Sequence, residues 1–178
     1  GGPVGVHWAL QNQSRVSRIA LLNTLVYPEF SDAVREFITA CVIPERRGVL
    51  TSPAGREEAM RVGLADRDSL SDEVLAAVIE PFESDDSRLA LAKAGVGVEL
   101  DSFNEIAAGL PDFDGPTLVV YGVQDRILPD VAETMNRVAA DLPQAEVKAL
   151  PDCGHFLQEE EPEEIGRLLA AFFAADRN

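Results

Sequence analysis

Asp125 and His155 are the residues of this sequence best placed to do chemistry. Asp125 lies in GVQDRILPD, directly after an apolar run, and His155 lies in LPDCGHFLQEEEPEE. An acid in contact with an imidazole has a mechanical use. The carboxylate fixes the ring tautomer and stabilises the imidazolium formed when the histidine takes a proton. Each residue alone has a plainer explanation. An aspartate after a strand is most often a turn residue, and a histidine beside glycine is most often structural or solvated. What sets this pair apart is that each follows a strand of the same supersecondary unit.

The positioning elements are legible. Thr117 to Tyr121 (TLVVY) is β-branched, leucine or aromatic with no polar alternation, which predicts a strand buried on both faces of a parallel sheet. Its loop would hold Asp125 at the carboxyl end, the edge where open α/β sheets place their chemistry. AEVKALP (Ala145 to Pro151) reads as a shorter strand, and the turn Asp152, Cys153, Gly154 presents His155 at the same edge. Between them Asp130 is the expected N-cap, with Glu133 in the first turn and Val131, Met135, Val138 and Leu142 forming one apolar stripe. Two parallel strands with a right-handed crossover put both loop tips on one side.

Composition narrows the partners. Thirty-one acids against fifteen bases give a net charge of −16, which argues against nucleic acid or an anionic membrane surface as a partner and is read most simply as a solvated surface. Cys41 and Cys153 lack CxxC spacing, and with two histidines they offer no recognised zinc arrangement, so neither disulfide, metal nor cofactor is expected. Cys153, close to His155, has no strand-to-helix elbow around it and reads as a small turn filler. No apolar run is long enough to cross a bilayer, and a cytoplasmic location is expected. Gly1 is not methionine and the chain opens inside a structural element, which leaves a lost targeting segment open.

In chain order, Pro3 suits a first helical turn, with Val4, Trp8 and Leu10 facing inward and the helix running to about Gln11. Arg18 to Thr24 is a second fully apolar strand. From Tyr27 to about Leu110 the pattern is helical. Ser31 caps a helix bearing Val34, Phe37, Ile38 and Cys41 that Pro44 closes. Glu57 to Val62 forms a further turn or two. Ser71 caps a helix bearing Val74, Leu75, Val78 and Ile79, ended by Pro81. Weaker helices cover Arg88 to Ala94 and the stretch after Ser102 that carries Phe103, Ile106 and Leu110. An insertion of this kind between two strands belongs over the carboxyl edge, as a lid that excludes water. The plainer alternative is a helical subdomain that only packs. The tail EPEEIGRLLAAFF has Pro162 near its start and Ile165, Leu168, Leu169 and Phe172 on one face.

Taken together, helix, strand LLNT, helical region, strand TLVVYG, acid loop VQDRILP, helix, strand and CGHFLQEEEPEE resemble the C-terminal portion of an α/β-hydrolase-fold enzyme over essentially the whole chain. The resemblance implies an α/β fold divided into a partial core at 1–27, a helical cap at 28–110 and a C-terminal core at 111–178. It further implies that Asp125 is the triad acid and His155 the triad base. The opening GGP resembles the Asp-Trp-Gly-Gly-Pro elbow of haloalkane dehalogenases and related epoxide hydrolases, whereas serine hydrolases commonly continue from Ser through one residue to Gly-Gly. By that alignment the nucleophile lies two positions before Gly1.

On the dehalogenase reading, the elbow carboxylate displaces halide from a small-molecule substrate to form an alkyl ester, and His155 held by Asp125 activates the water that cleaves it. Epoxide hydrolases use two cap tyrosines, but the only tyrosines here are Tyr27 and Tyr121, the second on a strand. The sole tryptophan, Trp8, is on the first helix. A serine esterase or lipase of the same fold is the first alternative. A non-catalytic remnant or partner-dependent chain is the second. With few strands, the apolar strand at 18–24 would expose an unpaired edge prone to self-association, and the 178 residues alone are expected to be inactive. Phe30, Phe37, Phe82 and Phe103 are the apolar candidates for a substrate pocket.

Overall fold

A computed structural model describes residues 1–97 and 99–175; the final three residues of the expected C-terminal core lie outside the described residues. The chain begins with helix α1 (Gly2–Gln11) and strand β1 (Ile19–Leu22). Six helices follow: α2 (Asp32–Val42), α3 (Pro44–Leu50), α4 (Pro53–Gly63), α5 (Asp72–Ile79), α6 (Asp85–Val96) and α7 (Leu100–Gly109). Strand β2 (Thr117–Gly122), helix α8 (Val131–Asp141), strand β3 (Ala145–Leu150), the short α9 (Leu157–Glu160) and α10 (Pro162–Ala174) complete it.

The strands form one parallel sheet in the order β1-β2-β3, with Leu21 opposite Val119 and Val119 opposite Val147. The central strand explains its own sequence. Val119 and Tyr121 pack on one face with Val6 of α1, Ile106 of α7 and Met135 and Val138 of α8. Leu118 and Val120 pack on the other with Cys153, Leu157 and Ile165, over which Leu168 and Phe172 of α10 lie. Helices cover both faces of β2, so every residue in it is apolar or small and buried.

Four helices open on serine caps, two of them, Ser31 and Ser71, as expected. Ser31, Ser52, Ser71 and Ser84 each accept a hydrogen bond from the amide three residues on, at the starts of α2, α4, α5 and α6. Others depart from expectation. Asp130 makes no side-chain cap at α8. Ser102 lies inside α7, which starts after Glu99. Pro44 closes α2 and also opens α3, because the extended Ile43 that a proline demands of its predecessor serves as the next helix's cap. The stretches at 57–62 and 88–94 extend into the full helices α4 and α6. On α1 Val6 and Ala9 are buried and Leu10 packs against the same core as expected, while Val4 is 70% and Trp8 46% exposed. A ten-residue helix this apolar has two stripes, and the packing of α7 and β1 chooses one.

No helix among the described residues is long and apolar enough to cross a membrane.

Candidate active site

The loop after β2 is built to hold one carboxylate. Asp125 has a fully buried side chain, and its Oδ1 accepts hydrogen bonds from the amides of Ile127 and Leu128, both at 2.8 Å. This closes an Asx-type turn that aims the carboxylate and satisfies two donors just before α8. The second oxygen, Oδ2, is therefore free for another partner, and it lies 2.8 Å from Nδ1 of His155. Because an ionised carboxylate only accepts, Nδ1 carries the proton and Nε2 of the neutral ring is left as a base. The imidazole remains 21% exposed while the acid is sealed, an arrangement that lets the ring reach a reactant but keeps solvent off its orienting partner.

Backbone stitching brings the two loops together. Val123 donates to the carbonyl of Leu150, and Gln124 to that of Cys153, each at 2.9 Å. Gly122 and Gly154 are where the chains touch. A Cβ on Gly122 would lie 2.2 Å from the Gly154 carbonyl oxygen, and one on Gly154 would lie 2.3 Å from that of Gly63. Only glycine permits this approach.

Three residues that no motif singles out hold the site. Asn23, at the end of β1 with φ +32°, accepts from the Gly122 amide and donates to the Gly154 carbonyl, so it bridges the two loops from below. Glu160 of α9 accepts from the Gly154 amide through one oxygen and from the Ala65 amide through the other, each at 2.6 Å. Arg126 donates to the Leu64 carbonyl at 2.7 Å, and the His155 amide donates to that of Gly63 at 2.5 Å. The end of α4 is thereby clamped over the loops of Asp125 and His155. This places part of the helical region at the carboxyl edge of the sheet. Glu160 is one of three consecutive glutamates, and nothing local distinguishes it.

The other candidates fall elsewhere. Cys153 is buried, and its thiol is pushed up to about 11, by burial first and then by the charges of Glu160, Glu161 and Asp152, so it is no nucleophile at neutral pH. Tyr27 donates to Asp141 of α8, with the Arg137 guanidinium 3.7 Å above its ring, and burial raises its pKa. Tyr121 is in the core. Phe103 is fully buried and meets Phe30 edge to face at 4.9 Å, which makes both packing residues. Phe37 and Phe82 line a cavity among the helices between β1 and β2. Among the described residues no group of three or more His, Cys, Asp or Glu could hold a metal ion.

A parallel sheet with an acid after one strand and a histidine after the next, under a clamped helical region, defines the C-terminal part of an α/β hydrolase. Residues 1–162 match the α/β hydrolase fold family, and the chain belongs to it. A 2-hydroxy-6-oxononadienedioate/2-hydroxy-6-oxononatrienedioate hydrolase of Paraburkholderia xenovorans is 26% identical over 178 residues, covering 98% of this chain and 59% of the relative. Among solved structures, a haloalkane dehalogenase from Agrobacterium tumefaciens superposes with a TM-score of 0.79 at 21% identity, over 98% of this chain and 64% of that one. A 2-hydroxy-6-oxo-6-phenylhexa-2,4-dienoate hydrolase from Rhodococcus gives 0.76 at 20% identity, over 98% and 61%. The chain thus spans about 59% of the length of that curated relative.

Proposed function

We propose that this chain carries the acid and base of a hydrolase that works through a covalent ester, its nucleophile supplied by residues that precede Gly1. The supporting observation is the 2.8 Å contact between Asp125 Oδ2 and His155 Nδ1, with Oδ1 anchored by two amides. On the reading favoured by the opening GGP, the nucleophile is an aspartate and the substrate a small apolar haloalkane. The carboxylate forms a C–O bond as the C–halogen bond breaks, and halide leaves with the electron pair. Water then adds to the ester carbonyl while Nε2 of His155 takes its proton, and collapse releases the alcohol and restores the carboxylate. Asp125 keeps Nδ1 protonated and stabilises the imidazolium. Tyr27, occupied by Asp141, and Tyr121, in the core, give an epoxide oxygen no donor from this chain's tyrosines.

A second reading is a serine nucleophile of the esterase or lipase type acting on a carbonyl compound; the 2-hydroxy-6-oxononadienedioate/2-hydroxy-6-oxononatrienedioate hydrolase suggests an oxo-dienedioate as one such compound to test. The two differ in what His155 does first. A serine needs the histidine before any bond forms, whereas a carboxylate nucleophile does not. In protein expressed from its whole reading frame, His155→Gln exposed to a bromoalkane should therefore accumulate an adduct heavier by one alkyl group, read by intact-mass spectrometry. Turnover of that bromoalkane by the parent with no adduct in the variant would contradict the aspartate mechanism. Cleavage of 2-hydroxy-6-oxononadienedioate, again with no adduct in the variant, would establish the serine reading in its place.

A further inference from the structure

Among α2, α4, α5 and α6 lies a cavity of ≈190 Å³ with Phe37, Cys41, Met60, Val78, Leu91 and Ala92 in its wall. Nearly all of this wall is apolar, but Arg56 of α4 also lines it and is only 5% exposed. Its Nη1 donates to the Phe82 carbonyl, and its guanidinium carbon sits 5.6 Å from the Phe82 ring centre. Nε and Nη2 have no hydrogen-bond partner at all and are shut off from solvent. These two nitrogens form the side edge of the guanidinium, the fork whose parallel N–H bonds match the two oxygens of a carboxylate. An arginine buried without a countercharge is costly, because its desolvation goes uncompensated. Burial, and then the charge of Arg88, already lower its pKa, with Glu83 acting the other way.

We propose that this cavity binds a small monocarboxylate with an apolar body, the carboxylate seated on the Nε/Nη2 edge of Arg56 and the body against Phe37, Met60 and Leu91. Nη1 is held by Phe82, so the fork is fixed before the ligand arrives, which reduces the ordering that binding must supply. Nε and Nη2 have almost no accessible surface, so the wall beside them must give way for the carboxylate to reach the fork. The volume suits an acid about the size of benzoate. Met60 also packs with Leu64 and, through that cluster, with Phe156, whose ring meets His155 at 5.1 Å. Occupancy is thereby linked by contact to the histidine loop, although the proposal does not rest on the hydrolase reading.

The test uses protein expressed from its whole reading frame, with benzoate and its uncharged isostere benzamide as probes, read by calorimetry and by the arginine side-chain NMR signals. Benzoate should bind saturably and shift the Arg56 Nε–H resonance, with benzamide about tenfold weaker or worse. Arg56→Met should remove benzoate binding while folding is kept, since replacing an unpaired buried charge with an apolar chain is neutral or stabilising. Ala59→Leu, which keeps the guanidinium but fills the cavity, should remove binding too and decides the matter if the methionine variant fails to fold. No saturable benzoate binding, equal binding of benzamide, or benzoate binding that survives either substitution would overturn the proposal.

Discussion

At the scale of single residues, the arrangement around Asp125 separates two jobs that one carboxylate performs. Oδ1 holds the turn and Oδ2 holds the imidazole. Asp125→Ala leaves the Ile127 and Leu128 amides without their acceptor in a buried site, and should cost about 2–3 kcal/mol in urea denaturation. Asp125→Asn keeps an oxygen for the turn and should cost about 1 kcal/mol or less, while its amide presents the wrong group to Nδ1. Equal losses in the two variants would mean that the turn does not depend on Oδ1. Cys153 makes a pH prediction. A thiol raised in the folded state to about 11 contributes stability that is fully present below its ordinary value near 9 and is lost as pH rises through the folded value. Melting temperature should therefore fall between pH 9 and 11 more steeply in the parent than in Cys153→Ala. Coincident curves would contradict the assignment.

Elements decide how closely those residues approach. Gly122 ends β2 and Gly154 precedes the histidine, and each lies where a Cβ would strike backbone from another segment. Alanine at either position should cost about 2–3 kcal/mol and separate the loops, with a lost Asp125–His155 contact visible as a changed imidazole NMR signal. Glu160 is the element-scale counterpart, since its two oxygens tie the histidine loop to the residues after α4. Glu160→Ala should cost about 2–4 kcal/mol, measured the same way, and a loss below about 0.5 kcal/mol would show that the clamp is not formed in solution. What the sequence made legible follows the same division. β2 could be read because both its faces are covered, and Asp125 and His155 because each follows a strand. Asn23 and Glu160 could not, because each joins backbone groups of two segments, the farther lying 131 and 95 residues away. Side-chain pattern carries no trace of a backbone partner that far away, whereas the local caps at Ser31 and Ser71 follow from spacing. The outward turn of Val4 and Trp8 was hidden for another reason: α1 offers two apolar stripes, and the packing of α7 and β1 selects the one with Val6 and Ala9.

At the scale of the whole molecule, the sheet has β1 at one margin, and a groove of ≈560 Å³ runs along β1 and α1 between Gly1 and Thr24. An apolar strand margin of this kind is a template for further pairing. Residues 1–178 produced alone should therefore associate, seen as a concentration-dependent mass in sedimentation, and should not turn over ester or haloalkane. A stable, active monomer would contradict both expectations. The fold brings a carboxylate from the loop after β2 and an imidazole from the loop after β3 into contact. That joining is tested most directly by a double-mutant cycle in protein expressed from its whole reading frame, on whichever probe it turns over. Asp125→Asn should lower kcat by up to about 10⁴-fold, His155→Ala by at least as much, and the double variant no further than His155→Ala alone. Losses that multiply instead would mean that Asp125 and His155 act separately, and the hydrolase reading of this site would fail.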